Sequence, residues 1–207
     1  MEQLISDGTW PVGSRIPAEP ELVATFGVGR NTIREAARAL EYSGMLQPRR
    51  GDGTYVRSRN AFAAAMTRSA SAHALELLQV RRALEAEAAA AAATAASPRD
   101  KKRLRTSLAR AEKALAAGDI ERYAAADIEF HTDIVVASGN QLLLDIYAGV
   151  VEVMHSAHAT IAQSSVAGGD HPAGHRDVVS AIEQADPSAA RQAVIDYLHE
   201  AEAGVRR

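Results

Sequence analysis

Apolar residues recur at helical spacing near the N-terminus of this 207-residue chain. Ile33, Ala36, Ala37 and Leu40 occupy positions i, i+3, i+4 and i+7, the spacing that gives an α-helix one buried face. This pattern predicts a helix over residues 30–43, ended by the glycine at position 44. A shorter helix is predicted over residues 19–26, and its proline lies in the first turn, where proline is tolerated.

Two short strands are predicted after this pair of helices. Residues 45–47 and 54–57 flank a turn that contains Asp52 and Gly53, and an Asp-Gly pair between such runs is typical of a hairpin. Residues 2–7 predict one more helix. Two short helices joined by a tight turn and followed by a hairpin predict a winged helix-turn-helix domain, which we place at residues 1–58.

The pattern changes over residues 59–71, which we interpret as a linker. The remainder, 72–207, predicts six helices, at about 72–96, 98–117, 119–137, 140–164, 175–185 and 187–204. A loop rich in Ser, Gly and Pro is expected at 164–174. Capping residues support the helix starts; they are Ser97, Asp119, Asn140 and Asp186. Because no segment here predicts a strand, we expect a mainly α protein, with an antiparallel all-α bundle following the winged domain.

Charge is unevenly distributed along the chain. Residues 30–59 contain seven arginines and three acidic residues, whereas residues 61–207 contain 15 basic and 19 acidic residues. A basic block on an acidic remainder favours a local nucleic-acid contact. Cysteine is absent, which removes disulfides, thiolate metal sites and cysteine nucleophiles. We find no signal peptide and no apolar run long enough to cross a bilayer, so we expect a cytoplasmic protein with no membrane contact.

The first turn of the helix at 30–43 has side chains suited to DNA. A recognition helix places its N-terminal residues in the major groove. Arginine pairs with guanine, asparagine pairs with adenine, and both hold phosphates. The candidate residues are Arg30, Asn31, Thr32 and Arg34, with Arg49 and Arg50 of the hairpin as contacts to phosphates or the minor groove. A solvated arginine face is the alternative for any one residue, but the ordered set predicts DNA binding. One recognition helix contacts few bases, so we expect a homodimer on a palindromic operator.

These residues resemble the GntR-type winged helix over about 50 positions. The matching runs are Gly13-Ser14-Arg15-Ile16-Pro17-Ala18-Glu19, Arg30-Asn31-Thr32-Ile33-Arg34-Glu35-Ala36 and Gly51-Asp52-Gly53-Thr54-Tyr55-Val56. The resemblance implies that Arg30, Asn31, Thr32, Arg34, Asp52 and Gly53 meet the operator. The chain departs from the family at Ala18 and Pro20, where a capping Ser and a DNA-contacting Arg are usual, and at Gly29, where Ser or Thr is usual.

A candidate metal site lies in the C-terminal half. Asp127 and His131 are four residues apart, so they share one helix face and can point at a common ion. Further histidines lie on the fourth and later predicted helices; they are His155, His158, His175 and His199. Without cysteine, these ligands suit zinc, nickel, manganese or a similar divalent ion. From spacing alone, an Asp–His pair on a helix face plus surface histidines stays open as the alternative.

Residues 72–204 resemble the FCD ligand-binding domain of the FadR subfamily, in its six-helix VanR-like form. The motifs are Val80-Arg81-Arg82-Ala83-Leu84-Glu85, Asp127 with Phe130-His131, Ser138-Gly139-Asn140, and His175 with Ala181-Ile182. The resemblance implies that Asp127, His131 and His175 bind a divalent metal together with a fourth His. That position falls on Tyr197, whereas His199 lies on a helix face rotated by about 200°. The fourth ligand is therefore Tyr197, His199, or water and effector.

Arg81 is a candidate effector-binding residue. The arginine at this place in the family lines the ligand cavity, and a guanidinium suits a carboxylate. A surface ion pair with Glu85 at i+4 is the equal alternative. We therefore interpret the chain as a transcription regulator, a repressor, that responds to a small carboxylate metabolite.

A metal-dependent hydrolase or isomerase that uses Asp127, His131 and His175 is the alternative function. Such an enzyme needs a general base or nucleophile near the metal. Glu129 is close in sequence but points to another helix face. Because an enzyme also leaves the winged helix unexplained, we expect no catalytic residues.

Overall fold

The computed structural model describes residues 1–70, 74–156 and 171–206. Contacts divide the chain between Ser69 and Ala70 into two units. Elements of the first unit are α1 (Glu2–Ser6), α2 (Glu19–Phe26), α3 (Arg30–Tyr42), β1 (Leu46–Arg49) and β2 (Gly53–Val56), followed by α4 (Ala61–Ala70), whose last residue is the first of the second unit. The two strands form an antiparallel hairpin, in which Leu46 pairs with Val56 and Arg49 with Gly53. The predicted winged helix-turn-helix is confirmed.

The apolar stripe of α3 forms part of the core of this unit. Ile33 and Leu40 are buried, and the two alanines between them, at 36 and 37, are half-buried. They pack with apolar side chains from α1, α2 and the hairpin; these are Ile5, Ile16, Leu22, Met45, Leu46 and Val56. The opposite face of α3 is left to solvent, as the sequence pattern predicts.

Neither α2 nor α3 begins with a capping side chain. Ala18 is the N-cap of α2, and its N–H donates to Glu21 Oε2 at 2.9 Å. Gly29 is the N-cap of α3 and has no side-chain acceptor. Loss of a hydroxyl cap to alanine costs about 0.5–2 kcal/mol, and to glycine only a few tenths. Ala18 and Gly29, two of the three positions where the sequence departs from the GntR-type pattern, are therefore helix starts without a side-chain cap.

Helix α4 occupies most of the segment predicted as a linker at 59–71. Asn60 caps it, since Asn60 Oδ1 accepts from the Ala63 N–H at 2.7 Å. Ala63 and Ala64 are buried, and alanine is the strongest helix former. The predicted bounds, 1–58 and 72–207 with a linker between them, stay a prediction about how the parts are connected.

The described residues of the second unit form helices joined by short turns. Its helices are α5 (Ala74–Ala95), α6 (Pro98–Ala116), α7 (Ile120–Ala137), α8 (Gln141–Ser156), α9 (His171–Glu183) and α10 (Pro187–Val205). The predicted all-helical fold of this half is confirmed. Helix α5 packs against α10, α7, α8 and α9, and α6 packs against α7 and α9. Buried alanines on α5 let these neighbours approach closely; they are Ala86, Ala88, Ala89, Ala90, Ala92 and Ala93.

Side-chain caps fix most of the helix starts. Ser97 Oγ accepts from the Asp100 N–H, and Asp119 accepts from the Arg122 N–H. Asp186 accepts from the N–H groups of residues 188 and 189. Asn140 Oδ1 accepts from the N–H of residue 143. These four predicted caps are confirmed.

The start of α9 differs most from the sequence prediction. The loop expected at 164–174 is helical from His171, because Pro172 lies in the first turn of α9, where its missing N–H does no harm. Residues 164–170 of that loop, and the end of the helix predicted at 140–164, lie outside the described residues. Within the described chain, no helix is both long and apolar enough to cross a bilayer.

Candidate functional site

The first turn of α3 points its polar side chains to solvent. Arg30, Asn31 and Thr32 are exposed, while Ile33 beside them is buried and anchors the helix. Arg34 is also exposed, with 57% of its side chain accessible, and its Nε lies 4.0 Å from Glu19 Oε2. A pair so open to water is worth at most about 1 kcal/mol. Arg34 can therefore exchange Glu19 for another acceptor at little cost.

Contacts within the hairpin fix the side chains there that the sequence analysis assigned to DNA binding. The guanidinium of Arg49 lies 3.9 Å above the ring of Tyr55, and the Tyr55 hydroxyl donates to Asp52 Oδ2 at 2.9 Å. Arg50 is exposed at the turn. Asp52 therefore orders the hairpin through Tyr55, a role that the sequence did not predict.

Gly53 lets Arg15 pass close to the hairpin. Its φ is +137°, and a Cβ there would collide with the Arg15 guanidinium. Residue 15 also forms a bridge to Tyr55. A groove of about 400 Å³ opens between the hairpin and α3; its lining includes Arg15, Arg34, Arg38, Gly53 and Thr54. The groove therefore places three arginines beside the exposed turn of α3.

Three of the predicted metal ligands meet inside the second unit. Asp127 Oδ1 lies 3.5 Å from His131 Nε2 and 3.7 Å from His175 Nε2, and one ligand atom from each residue lies within 4.8 Å of the others. Helix α7 supplies Asp127 and His131 from adjacent turns, and α9 supplies His175. The structure therefore brings together His131 and His175, which are 44 positions apart and which the sequence analysis linked only through the family resemblance.

The separations fit a small divalent ion. Tetrahedral zinc with ligands at about 2.1 Å sets the ligand atoms about 3.4 Å apart, close to the 3.5 and 3.7 Å seen here. Among the residues described, Asp127 Oδ1 is buried and takes part in no hydrogen bond. A buried carboxylate oxygen in that state favours a cation as its partner. Asp127, His131 and His175 are therefore a fitting donor set.

Glu85 on α5 lies at the far edge of the His131 ring. Its Oε2 is 3.0 Å from His131 Nδ1, and its Oε1 accepts from Arg81 Nε at 2.7 Å. The hydroxyls of Tyr147 and Tyr197 donate to the same carboxylate at 2.6 and 2.5 Å. Glu85 is fully buried, so α5, α7, α8 and α10 meet at one carboxylate.

Oppositely charged side chains lie close together in this cluster and shift one another's pKa values. Burial alone would raise the pKa of Glu85 and Asp127, but nearby positive groups hold both pKa values well below their ordinary range; these are Arg81 and His131 for Glu85, and His131 and His175 for Asp127. Burial would lower the pKa of His131, but the negative charges of Glu85 and Asp127 together raise it above the ordinary value. Burial raises the pKa of Tyr147 and Tyr197, and the Glu85 charge adds to this effect. Both phenols therefore stay protonated and can donate.

Arg81 pairs with Glu85, but the pair is buried rather than on the surface. Only 5% of the Arg81 side chain is accessible. Its Nη2 is buried and takes part in no hydrogen bond within the described residues. A buried guanidinium edge of this kind can receive a carboxylate. Arg81 therefore forms the ion pair with Glu85 through one edge of its guanidinium and keeps a donor on another edge that could bind an effector carboxylate.

The candidates for a fourth ligand lie in different places. Tyr197 is buried, and its hydroxyl contacts Glu85 and, at 3.2 Å, His131 Nδ1. His199 is on the opposite face of α10, where its Nε2 is 2.8 Å from Arg82 Nη1. The structure therefore does not bring His199 to the cluster, because the two-residue offset turns it outward. The side chains of His155 and His158 lie outside the described residues.

Sequence reasoning missed the second layer of this site. Glu85 entered only as a surface partner of Arg81, and Tyr147 did not enter at all. Gly174 was also missed: a Cβ there would lie 2.5 Å from the Tyr197 Cβ, so only glycine lets α9 approach α10 this closely. Its position directly before His175 was the one signal available. Glu129 lies outside the cluster, 2.8 Å from Arg110 on α6.

Comparisons with known families match both units. The family model described as bacterial regulatory proteins, gntR family, matches residues 1–56. The FCD domain model matches residues 76–200, which contain every residue of the buried cluster.

Individual proteins agree with these matches. A regulator whose name ties it to the L-lactate dehydrogenase operon of Escherichia coli K12 is 30% identical over 208 residues, covering 94% of this chain and 79% of that protein. The HTH-type transcriptional repressor NanR of Cronobacter sakazakii is 26% identical, covering 96% and 80%. The solved structure of Streptococcus agalactiae GntR superposes with a TM-score of 0.60 at 26% identity, covering 97% of this chain and 95% of that one.

Proposed function

Because the chain belongs to the GntR family of bacterial transcription regulators and has an FCD domain, we propose that it is a repressor controlled by a small carboxylate metabolite. The metabolite binds in the second unit, at a divalent metal ion held by Asp127, His131 and His175. The observation that carries this proposal is the buried Asp127 Oδ1, which takes part in no hydrogen bond among the described residues and faces two histidine nitrogens.

Each residue of the cluster has a defined task in this proposal. Asp127, His131 and His175 would supply three ligands to the metal, which would act as a Lewis acid toward a carboxylate oxygen. Arg81 Nη2 donates to the same carboxylate, since its Nε is already committed to Glu85. Glu85 neutralises Arg81, so the guanidinium is stable when no effector is bound.

The first unit binds operator DNA through α3 and the hairpin. Base contacts come from the exposed first turn of α3, and the hairpin arginines hold phosphates or the minor groove. The residues are Arg30, Asn31, Thr32, Arg34, Arg49, Arg50, Asp52 and Gly53. Two chains bind the halves of a palindrome as a homodimer, because one recognition helix contacts too few bases. The name of the Cronobacter relative supports repression.

Catalysis has no role in this proposal. Glu129, the acidic residue that the sequence analysis considered as a base, is half-buried and ion-paired with Arg110. It is therefore unsuited to act as a base beside the metal.

The name of the Escherichia coli relative concerns a lactate operon, and lactate is a small carboxylate of the expected class.

Thermal unfolding with added ligands tests the metal and effector together. Purified protein is stripped with chelator and then melted with Zn²⁺, Ni²⁺ or Mn²⁺, with and without a panel of mono- and dicarboxylic acids that includes L-lactate. We expect one metal to raise Tm, and a carboxylate to raise it further only when metal is present. Carboxylates that raise Tm equally without metal would contradict the proposed site.

A further inference from the structure

The Glu85 carboxylate uses its whole hydrogen-bonding capacity inside the cluster. Oε1 receives Arg81 Nε and the Tyr147 hydroxyl, and Oε2 receives the Tyr197 hydroxyl and lies 3.0 Å from His131 Nδ1. A carboxylate accepts about four hydrogen bonds. Glu85 therefore has no lone pair left for a metal or an effector, although it lies beside both candidate sites.

The same contacts assign a proton to His131 Nδ1. Tyr197 has one hydroxyl proton, which it gives to Glu85 Oε2 at 2.5 Å. Its oxygen can then only accept at the 3.2 Å contact with His131 Nδ1. Glu85 Oε2 can likewise only accept from Nδ1. Two acceptors facing one ring nitrogen require a donor there, so Nδ1 bears the proton.

With the proton on Nδ1, the lone pair of Nε2 on the other edge of the His131 ring is available to bind a metal ion. A neutral His131 protonated at Nδ1 has its lone pair on Nε2, the nitrogen that faces Asp127 Oδ1. A ligand histidine whose second nitrogen donates to a carboxylate is the arrangement that fixes ring orientation and raises metal affinity. Glu85 is thus in the place of such an outer partner.

Tyr197 lies on the wrong edge of the ring to be a ligand. Its hydroxyl contacts Nδ1, whereas Asp127 lies at Nε2. Its Cβ is also held against Gly174, where no other residue leaves room. We propose that Tyr197 is outside the metal shell, and that Glu85, held by the Tyr147 and Tyr197 hydroxyls, positions His131 as a ligand through its Nδ1 proton. This inference rests on the proposed metal site.

Copper spectroscopy tests whether Tyr197 is a ligand. Chelator-stripped wild type and Tyr197→Phe are titrated with Cu²⁺, and the visible spectrum is recorded. A phenolate bound to Cu²⁺ gives an intense charge-transfer band that carboxylate and imidazole ligands do not give. We expect no such band in wild type and the same spectrum in Tyr197→Phe. A band in wild type that Tyr197→Phe removes would overturn the inference.

Nitrogen NMR and zinc titration test the role of Glu85. In metal-free wild type, ¹⁵N-histidine spectra should show His131 Nδ1 protonated. Glu85→Gln should weaken Zn²⁺ binding about 10–100-fold, while Glu87→Gln, two residues on and exposed beside Arg191, should change nothing. If Glu85→Gln folds poorly, Tyr147→Phe, which removes one hydroxyl from the same carboxylate, should give a smaller loss of affinity in the same direction.

The outcomes separate this inference from the proposed function. Wild type that binds no Zn²⁺ would overturn the proposed function. An unprotonated Nδ1 on His131 would overturn this inference whether or not metal binds. Equal Zn²⁺ affinity in wild type, Glu85→Gln and Tyr147→Phe would also overturn it.

Discussion

In the first unit, Arg30, Asn31 and Thr32 extend into solvent from the first turn of α3, whereas in the second unit Glu85, His131 and His175 are at most 1% exposed. The exposed residues contribute little to folding, since their partners in the free protein are water or weak ion pairs. The buried residues form one network, so they contribute together to stability and to the proposed ligand binding. Substitutions in the first unit should therefore change DNA affinity without changing the free energy of unfolding. Substitutions in the buried cluster of the second unit should change ligand affinity and the free energy of unfolding together.

The largest effect is expected from Glu85→Ala. This change leaves the buried Arg81 charge and two tyrosine hydroxyls without their shared acceptor, and loss of one partner of a buried ion pair costs about 3–5 kcal/mol. Urea unfolding measures it. Glu87→Ala is the matched control on the same helix, because Glu87 is exposed and paired with Arg191, and it should cost at most about 1 kcal/mol. Equal losses in the two variants would remove the contrast between buried and exposed groups.

His131→Ala should abolish tight metal binding. It deletes one of the three proposed ligands, so the loss of Zn²⁺ affinity should exceed the roughly 10–100-fold that an outer partner supplies. Isothermal titration calorimetry measures the affinity. His199→Ala is the control, since His199 contacts Arg82 on the outer face of α10, and it should bind Zn²⁺ as wild type does. Unchanged Zn²⁺ affinity in His131→Ala would contradict the assignment of the site.

Arg34→Ala and Arg30→Ala should weaken operator binding by about 1–3 kcal/mol each, if each holds a base edge. Neither should change the free energy of unfolding by more than about 0.5 kcal/mol, because both side chains are exposed. Fluorescence anisotropy with operator and random DNA measures the first quantity, and urea unfolding the second. Arg99→Ala, exposed at the start of α6, should change neither. An equal loss on random DNA would reassign the residue to a phosphate.

The smallest effect is a pH dependence of the metal-free protein. The pKa of His131 is raised above its ordinary value of 6.5, because the charges of Glu85 and Asp127 together outweigh the effect of burial. A raised pKa means that the folded state holds the proton more tightly, so this stabilisation is complete below pH 6.5 and is lost as pH rises through the folded pKa. Urea unfolding is measured from pH 6, just below the ordinary histidine pKa, to pH 9. The free energy of unfolding of wild type should decline over this range. A decline of the same size in His131→Asn would assign it to another group.

Local sequence predicted the first unit well because its signals are local. The stripe from Ile33 to Leu40, the Asp52-Gly53 pair and the exposed turn of α3 lie within 24 residues, and each determines a nearby structure. The helix starts at Ser97, Asp119 and Asp186 were predictable for the same reason. Helix α4 within the segment predicted as a linker was not foreseen, because Asn60 caps an alanine-rich run as a helix.

The second site was predictable only where two of its residues share a helix. Asp127 and His131 are one turn apart, and the family resemblance added His175. Glu85, Tyr147 and Tyr197 come from three other helices, and no spacing in the sequence joins them. Burial turned the expected surface pair of Arg81 and Glu85 into the centre of a network. Such a network is set by helix packing rather than by local pattern.

Operator affinity with and without ligand tests most directly the claim that the buried cluster controls the exposed DNA surface. An operator selected from random-sequence DNA is titrated with wild type and His131→Ala, each with and without Zn²⁺ and the carboxylate that raises Tm. We expect metal and carboxylate together to shift the Kd of wild type by about 5–150-fold, the usual range of allosteric coupling, and to leave that of His131→Ala unchanged. An equal shift in His131→Ala, or no shift in wild type that holds both ligands, would contradict the account.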